Sequence, residues 1–290
     1  MMSNCLRQLP PTRTANGALA RSANNFKETS PMLARIPVIL FGIPAVYGLL
    51  VAAGDEVRMV FLALICIIGQ YELNQMLNRD NGGKPLIEWL GTILMLVAAH
   101  FYQSVGLLLG FALSVVFLVI FTVLRGLQGD NCLRFTRGLF SLVYLPFCLS
   151  FYLMLARADS GLTLFVILAA VWALDMGAYL FGMSIRGPKL APAISPNKTI
   201  SGAVGGAISC AAFILAAGHL ELLKLSQPRL IIMAIMIATI GQIADLFESV
   251  LKRESAVKDS GALLGAHGGV LDRIDSVLFL GPLCYALVTL

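Results

Sequence analysis

The feature that most constrains this chain is the length of its apolar runs. Stretches of fifteen to twenty-two mostly apolar residues recur near 36–53, 57–77, 86–102, 104–124, 138–156, 161–182, 200–218, 228–248 and 276–290. A bilayer core about 30 Å thick takes roughly 20 apolar residues per helix. The runs do not alternate in polarity, so they do not suit the strands of a membrane barrel. The expected fold is therefore all-α, a polytopic transmembrane helical bundle of about nine spans. Only Gln103-Ser104 separates the third run from the fourth, and the ninth has fifteen residues and contains Pro282.

Composition closes the other routes. Charged residues make up 13% of the chain, against about 25% in a soluble domain, so it could not cover a soluble surface. The six cysteines are scattered singly, which argues against a disulfide scaffold or a thiolate metal site. The net charge of +5 is spread over many short segments, so no basic patch invites nucleic acid.

Lys and Arg accumulate on the cytoplasmic side of membrane helices. If the N-terminus is cytoplasmic, seventeen basic residues fall on that side and four (Arg58, Arg157, Lys224 and Arg229) on the other. The expected topology thus places the N-terminus and the loops 183–199 and 249–275 in the cytoplasm. Residues 1–31 are polar and lack an apolar core, so they do not read as a secretory signal. A disordered tail, an Arg-rich transit peptide and an extended reading frame starting naturally at Met32 all stay open. The expected organisation is this tail, N-terminal helices over 32–160 and a C-terminal catalytic membrane region over 161–290.

Charge inside lipid is costly, so its placement is informative. Asp175 interrupts the sixth run, and Lys189 to Gly206 joins it to the seventh. The densest stretch is Gln242 to Ser276, which holds ten charged residues. Asp245, Glu248, Ser249 and Lys252 follow i, i+3, i+4, i+7 spacing and share one helix stripe. Beyond them come Lys258-Asp259, His267-Gly268-Gly269, and Asp272 with Asp275. Carboxylates beside Lys and Arg can hold a hard divalent cation together with phosphate oxygens. Glycines let backbone N–H groups approach an anion. A topology signal alone would need the basic residues but not the acids.

Residues Ser249 to Asp275 resemble the signature of the phosphatidate cytidylyltransferases, the CDP-diacylglycerol synthases. Twelve fixed positions are met: Ser249, Lys252, Arg253, Lys258, Asp259, Gly261, His267, Gly268, Gly269, Asp272, Arg273 and Asp275. The segments around Asp175 to Gly182, Lys189 to Thr199 and Gly241 to Ser249 are also similar to that family, so the close resemblance covers about 165–280. Met183, Gly187, Ser201 and the Gly265-Ala266 pair depart from its usual residues.

The resemblance implies a membrane enzyme, commonly a homodimer, that transfers CMP from CTP to phosphatidate and releases pyrophosphate. It implies Mg²⁺, with room for a second cation, on Asp245 and Asp272, and CTP, phosphatidate and membrane lipid as partners, with no nucleic acid. Asp245, Asp272, Lys252 and Lys258 are the expected catalytic residues. Asp175, Ser195, Lys198, Ser249 and Arg253 are expected to bind substrate, as are Asp259, His267, Gly268, Gly269, Arg273 and Asp275. The expected location is a bacterial inner membrane with the site facing the cytoplasm. A paralogue acting on another lipid or isoprenoid acceptor stays open. An ion-coupled transporter fits less well, because the charges crowd into the C-terminal third and no internal repeat is visible.

Overall fold

The computed structural model describes residues 42–77, 85–126, 129–159, 161–261, 263 and 268–290. The chain divides into two units, Met1–Tyr47 and Gly48–Leu290. The described part of the first contains one short helix, Ile43–Tyr47. The second opens with a π turn, Gly48–Ala52.

Six helices follow that are long and apolar enough to cross a membrane. They are α1 (Asp55–Leu77), α2 (Leu86–Leu124), α3 (Asn131–Ala158), α4 (Leu162–Ile185), α5 (Ile200–His219) and α6 (Gln227–Glu254). A small hairpin, β1 (Lys189–Ala191) and β2 (Ser195–Thr199), joins α4 to α5, and α7 (Leu271–Leu278) and α8 (Leu280–Thr289) end the chain. The all-α expectation holds apart from this hairpin, which pairs Lys189 with Thr199 and Ala191 with Ser195.

Helix α2 is two antiparallel arms, 86–102 and 104–124. Gln103 leaves helical geometry with φ 51° and ψ −133°, a region that non-glycine residues enter rarely. Across the turn, the Ser114 hydroxyl donates to the Gly91 carbonyl at 3.2 Å. A straight helix would hold those residues about 35 Å apart. The arms approach closely because the contact residues are small. A Cβ on Gly106 would lie 1.9 Å from the Ala98 carbonyl oxygen, and one on Gly110 would lie 2.9 Å from the Met95 Cα. The Gln103-Ser104 break is therefore a hairpin turn.

Two other expected spans differ. The run at 138–156 is the inner part of α3, which widens into a π segment over Val143–Phe147 around Pro146. Proline lacks the donor and the space for an ordinary turn, and the wider coil relieves both. The run at 276–290 is not one helix, because α7 and α8 have 8 and 10 residues and meet at Phe279.

Helices α4 and α5 pack through glycine. Cβ atoms on Gly202 and Gly206 would each fall 2.7 Å from an α4 carbonyl oxygen, those of Ala178 and Leu174. The Gly202, Gly205 and Gly206 face is thus a helix-packing surface, not a phosphate cradle. Thr199 caps α5, its hydroxyl accepting from the Gly202 amide at 3.1 Å. This fixes where the hairpin ends and the helix begins.

Candidate active site

The stripe on α6 meets α7 and β2 at one end of the molecule. Glu248 is fully buried and Lys252 lies beside it. The Lys252 ammonium donates to Glu248 at 2.9 Å and to Asp272 of α7 at 2.7 Å. Lys198 of β2 forms an ion pair with Asp245. The i, i+3, i+7 spacing on α6 thus presents an acid to the hairpin and a cation to α7.

Asp272 is the most completely held carboxylate. One oxygen takes the Lys252 ammonium, and the other accepts from the Ser260 amide at 3.0 Å and the Gly269 amide at 2.8 Å. Burial opposes its charge, but Lys252 and the Gly269 and Ser260 amides outweigh that cost and hold its pKa below the ordinary 3.8. It is a carboxylate at any pH near neutrality. Gly268 makes the turn possible with φ +77°, and a Cβ there would lie 2.7 Å from an Asp272 oxygen.

Two cavities meet on Asp175 and Asp245. One, of about 340 Å³, is polar and lined by Asp175, Asp245, Lys252, Asp259, Gly268, Asp272, Arg273, Asp275 and Ser276. The other, of about 480 Å³, runs between α4, α5 and α6 and has a largely apolar wall. Leu174, Ala178, Tyr179, Met183 and Leu190 contribute to it, with Lys198 and Asp245 also on its lining. Residues expected to handle phosphate therefore border a greasy slot.

Not every expected residue reaches the cavities. Lys258 and Arg253 are exposed and line neither cavity, and the Arg253 side chain donates to the Ile194 and Val257 carbonyls. Ser249 is buried in α6 and Ser195 is half-buried at the start of β2. Gly269 is buried, and its amide is given to Asp272. His267 lies outside the described residues.

Glu72 is the residue that spacing alone underrated, since it reads first as a helix-end anchor of α1. It is 4% exposed and reaches across the chain to the start of α7. Its carboxylate accepts from the Val270 amide at 3.0 Å, the Leu271 amide at 2.9 Å and the Ser260 hydroxyl at 3.2 Å. An acid at the first amides of a helix satisfies donors that the helix itself cannot. Gly261 and Gly269 leave room for it, because Cβ atoms there would fall 2.4 and 2.5 Å from its oxygens. The sequence signal was an acid beside Gln70 and Asn74 near the end of an apolar run.

Among the described residues, no three His, Cys, Asp or Glu side chains form a ready metal cage. A Mg²⁺ site that shares its ion with substrate phosphates needs fewer, commonly one or two carboxylates. Asp245 and Asp272 meet that requirement by lining one cavity from separate helices. The cavity carries five Asp side chains against Lys252 and Arg273, so the donor set suits a hard cation bound together with an anion.

The arrangement defines an integral membrane protein with a cleft of mixed acidic and basic lining at one end of its helices. The model of the cytidylyltransferase family matches residues 33–290, and the chain belongs to that family. It is 40% identical to the phosphatidate cytidylyltransferase of Bacillus subtilis over 51% of this chain and 56% of that protein. To the Brucella suis phosphatidate cytidylyltransferase it is 44% identical over 46% of this chain and 50% of that protein. The chain thus spans about half the length of these two relatives. A Staphylococcus aureus phosphatidate cytidylyltransferase matches at 34% over 79% of this chain and 89% of that protein.

Proposed function

We propose that this protein transfers CMP from CTP to phosphatidate, giving CDP-diacylglycerol and pyrophosphate. The observation that carries this reading is that Asp245 and Asp272, on different helices, line one polar cavity with Lys252 and Arg273 while an apolar-walled slot adjoins it at Asp175. Family membership and the names of the relatives support it. CTP suits the polar cavity, and a lipid phosphate with its glycerol and acyl chains suits the slot.

The chemistry is a meeting of two anions. A phosphate monoester has a second pKa near 6, so phosphatidate arrives as a nucleophile that hardly needs a base. What opposes reaction is its repulsion from the triphosphate. Lys252, Lys198 and Arg273 supply positive charge, and the rigid seating of Asp272 fixes its geometry. Asp245 and Asp272 would hold Mg²⁺, which when bound neutralises phosphate charge and stabilises the departing pyrophosphate. Lys252 and Lys198, which pair with Asp272 and Asp245, would offer their ammonium groups to phosphate oxygens at the same carboxylates.

The same reading assigns nine spans: 36–53, the two arms of α2, the five other long helices, and the C-terminal run 276–290. The N-terminus and the active site then face the cytoplasm of a bacterial inner membrane, and two copies form a homodimer. The test is purified protein with radiolabelled CTP, phosphatidate and Mg²⁺. Lipid-soluble CMP product is expected from wild type, with a loss of roughly 10²–10³-fold in Asp272→Asn. No product from wild type overturns the activity, and full activity in the variant overturns the role of Asp272.

A further inference from the structure

A third cavity, of about 270 Å³, shares no lining residue with the two at the active site. It lies where the end of α1, both ends of α2 and the start of α3 converge. Its wall is divided. Leu77, Leu86, Leu118, Phe121 and Phe135 form an apolar side, and Arg125, Arg134 and Arg137 supply three guanidinium groups. Glu88 is the acid on the lining, and Asp130 pairs with Arg134. Among the described residues, the lining thus sets three guanidinium groups around one lining acid.

Ser141 gives the second, independent observation. It is 7% exposed and lines the cavity, and its hydroxyl has no hydrogen-bond partner among the described residues. A buried hydroxyl left without a partner is costly, so such groups normally meet one. The cavity offers the direction from which a partner can come.

The geometry points to a site for the phosphate headgroup of an anionic phospholipid, distinct from the catalytic cleft. The guanidinium groups match phosphate oxygens with charge and planar donors, and Ser141 can add a neutral hydrogen bond. The apolar side accepts the upper acyl chain, which a free phosphate would not need. Basic pockets between helices on the cytoplasmic side of a membrane are suited to such headgroups. The position also matters, because Leu73 and Asn74 on this lining directly follow Glu72 on α1, and Glu72 holds the start of α7. A lipid seated here packs against the helix that anchors the catalytic segment. The inference rests on the proposed orientation in the membrane, not on the transfer reaction.

The test is native mass spectrometry of the delipidated full-length protein titrated with dioleoyl phosphatidylglycerol or dioleoyl phosphatidylcholine. Wild type is expected to retain the anionic lipid preferentially, and the double variant Arg134→Ala/Arg137→Ala to bind it roughly tenfold more weakly or worse. Ser141→Ala, which removes only the hydroxyl, is expected to weaken it a few-fold. Lys252→Ala, in the catalytic cleft, should bind it as wild type does. Equal retention of both lipids by wild type overturns the site, as does unchanged binding in the arginine and serine variants. Loss of binding in Lys252→Ala instead would place the lipid in the catalytic cleft. Displacement by equimolar glycerol 3-phosphate would show a free-phosphate site and overturn the lipid assignment.

Discussion

Two ion-pair clusters lie far apart in this molecule, built from the same residue types and doing different work. In one, Arg58 donates to Asp55 at 2.8 Å and Arg157 donates to the other Asp55 oxygen at 2.8 Å. Arg157 also reaches the His100 carbonyl and ring. That cluster ties the start of α1 and the turn of α2 to the end of α3, and two guanidinium groups answer one carboxylate. In the other, five Asp side chains surround a cavity with Lys252 and Arg273. Closed pairing with cations in excess makes a clamp. Carboxylates in excess around open volume leave charge unanswered within the protein, the setting that the proposed function uses for a cation and an anion.

Substitutions at Lys252, Glu72 and Arg157 separate the two ends of the molecule. The largest effect is expected at Lys252, which bridges Glu248 and Asp272. Lys252→Ala should cost CMP transfer roughly 10²-fold or more, whereas Lys224→Ala, assigned to the opposite membrane face, should stay within about twofold. Equal losses in the same radiolabel assay would mean that the topology or the site is misassigned. Next comes Glu72. Glu72→Gln keeps the shape but removes the charge and leaves one acceptor oxygen for three donors. Turnover should fall roughly 10–100-fold, the scale of losing a group that orients a ligating residue. The Mg²⁺ concentration for half-maximal rate should rise, and Glu72→Asp should recover part of the loss. A variant with normal turnover and normal Mg²⁺ dependence would make Glu72 a fold residue only.

The grouping of the candidate site residues was legible because they are concentrated in the sequence. Asp245, Glu248, Ser249 and Lys252 share one stripe by helical spacing alone, and their placement near Asp272 follows from a short return of the chain into α7. The hairpin in α2 was half legible, since Gln103-Ser104 marks a break but not that Gly106 and Gly110 let the arms touch. Glu72 was not legible in its role, because its partners Ser260, Val270 and Leu271 lie about 190 to 200 residues away and two are backbone amides. Backbone donors leave no trace in residue type. Similarly, the glycines at 202, 205 and 206 fit a packing face and an anion cradle equally well until α4 is placed against them. Gly269 read as substrate-facing, yet the space that it and Gly261 leave is filled by the Glu72 carboxylate.

The smallest expected effect on activity tests the clamp itself. Arg157→Leu removes the ion pair to Asp55 and the donor to His100 while keeping a side chain of apolar bulk at the end of α3. The pair is partly exposed, with side chains 24% and 31% accessible, so solvent screening keeps its worth modest. Stability should fall by about 1–2 kcal/mol, read as a lower thermal midpoint in detergent. Asp55 keeps Arg58, which limits the damage to one corner of the bundle. CMP transfer below that midpoint should remain within about twofold, because none of the groups lost borders the catalytic cavity. A loss comparable to that of Lys252→Ala would show that the far corner sets the geometry of Asp272, and that the two clusters are one coupled system.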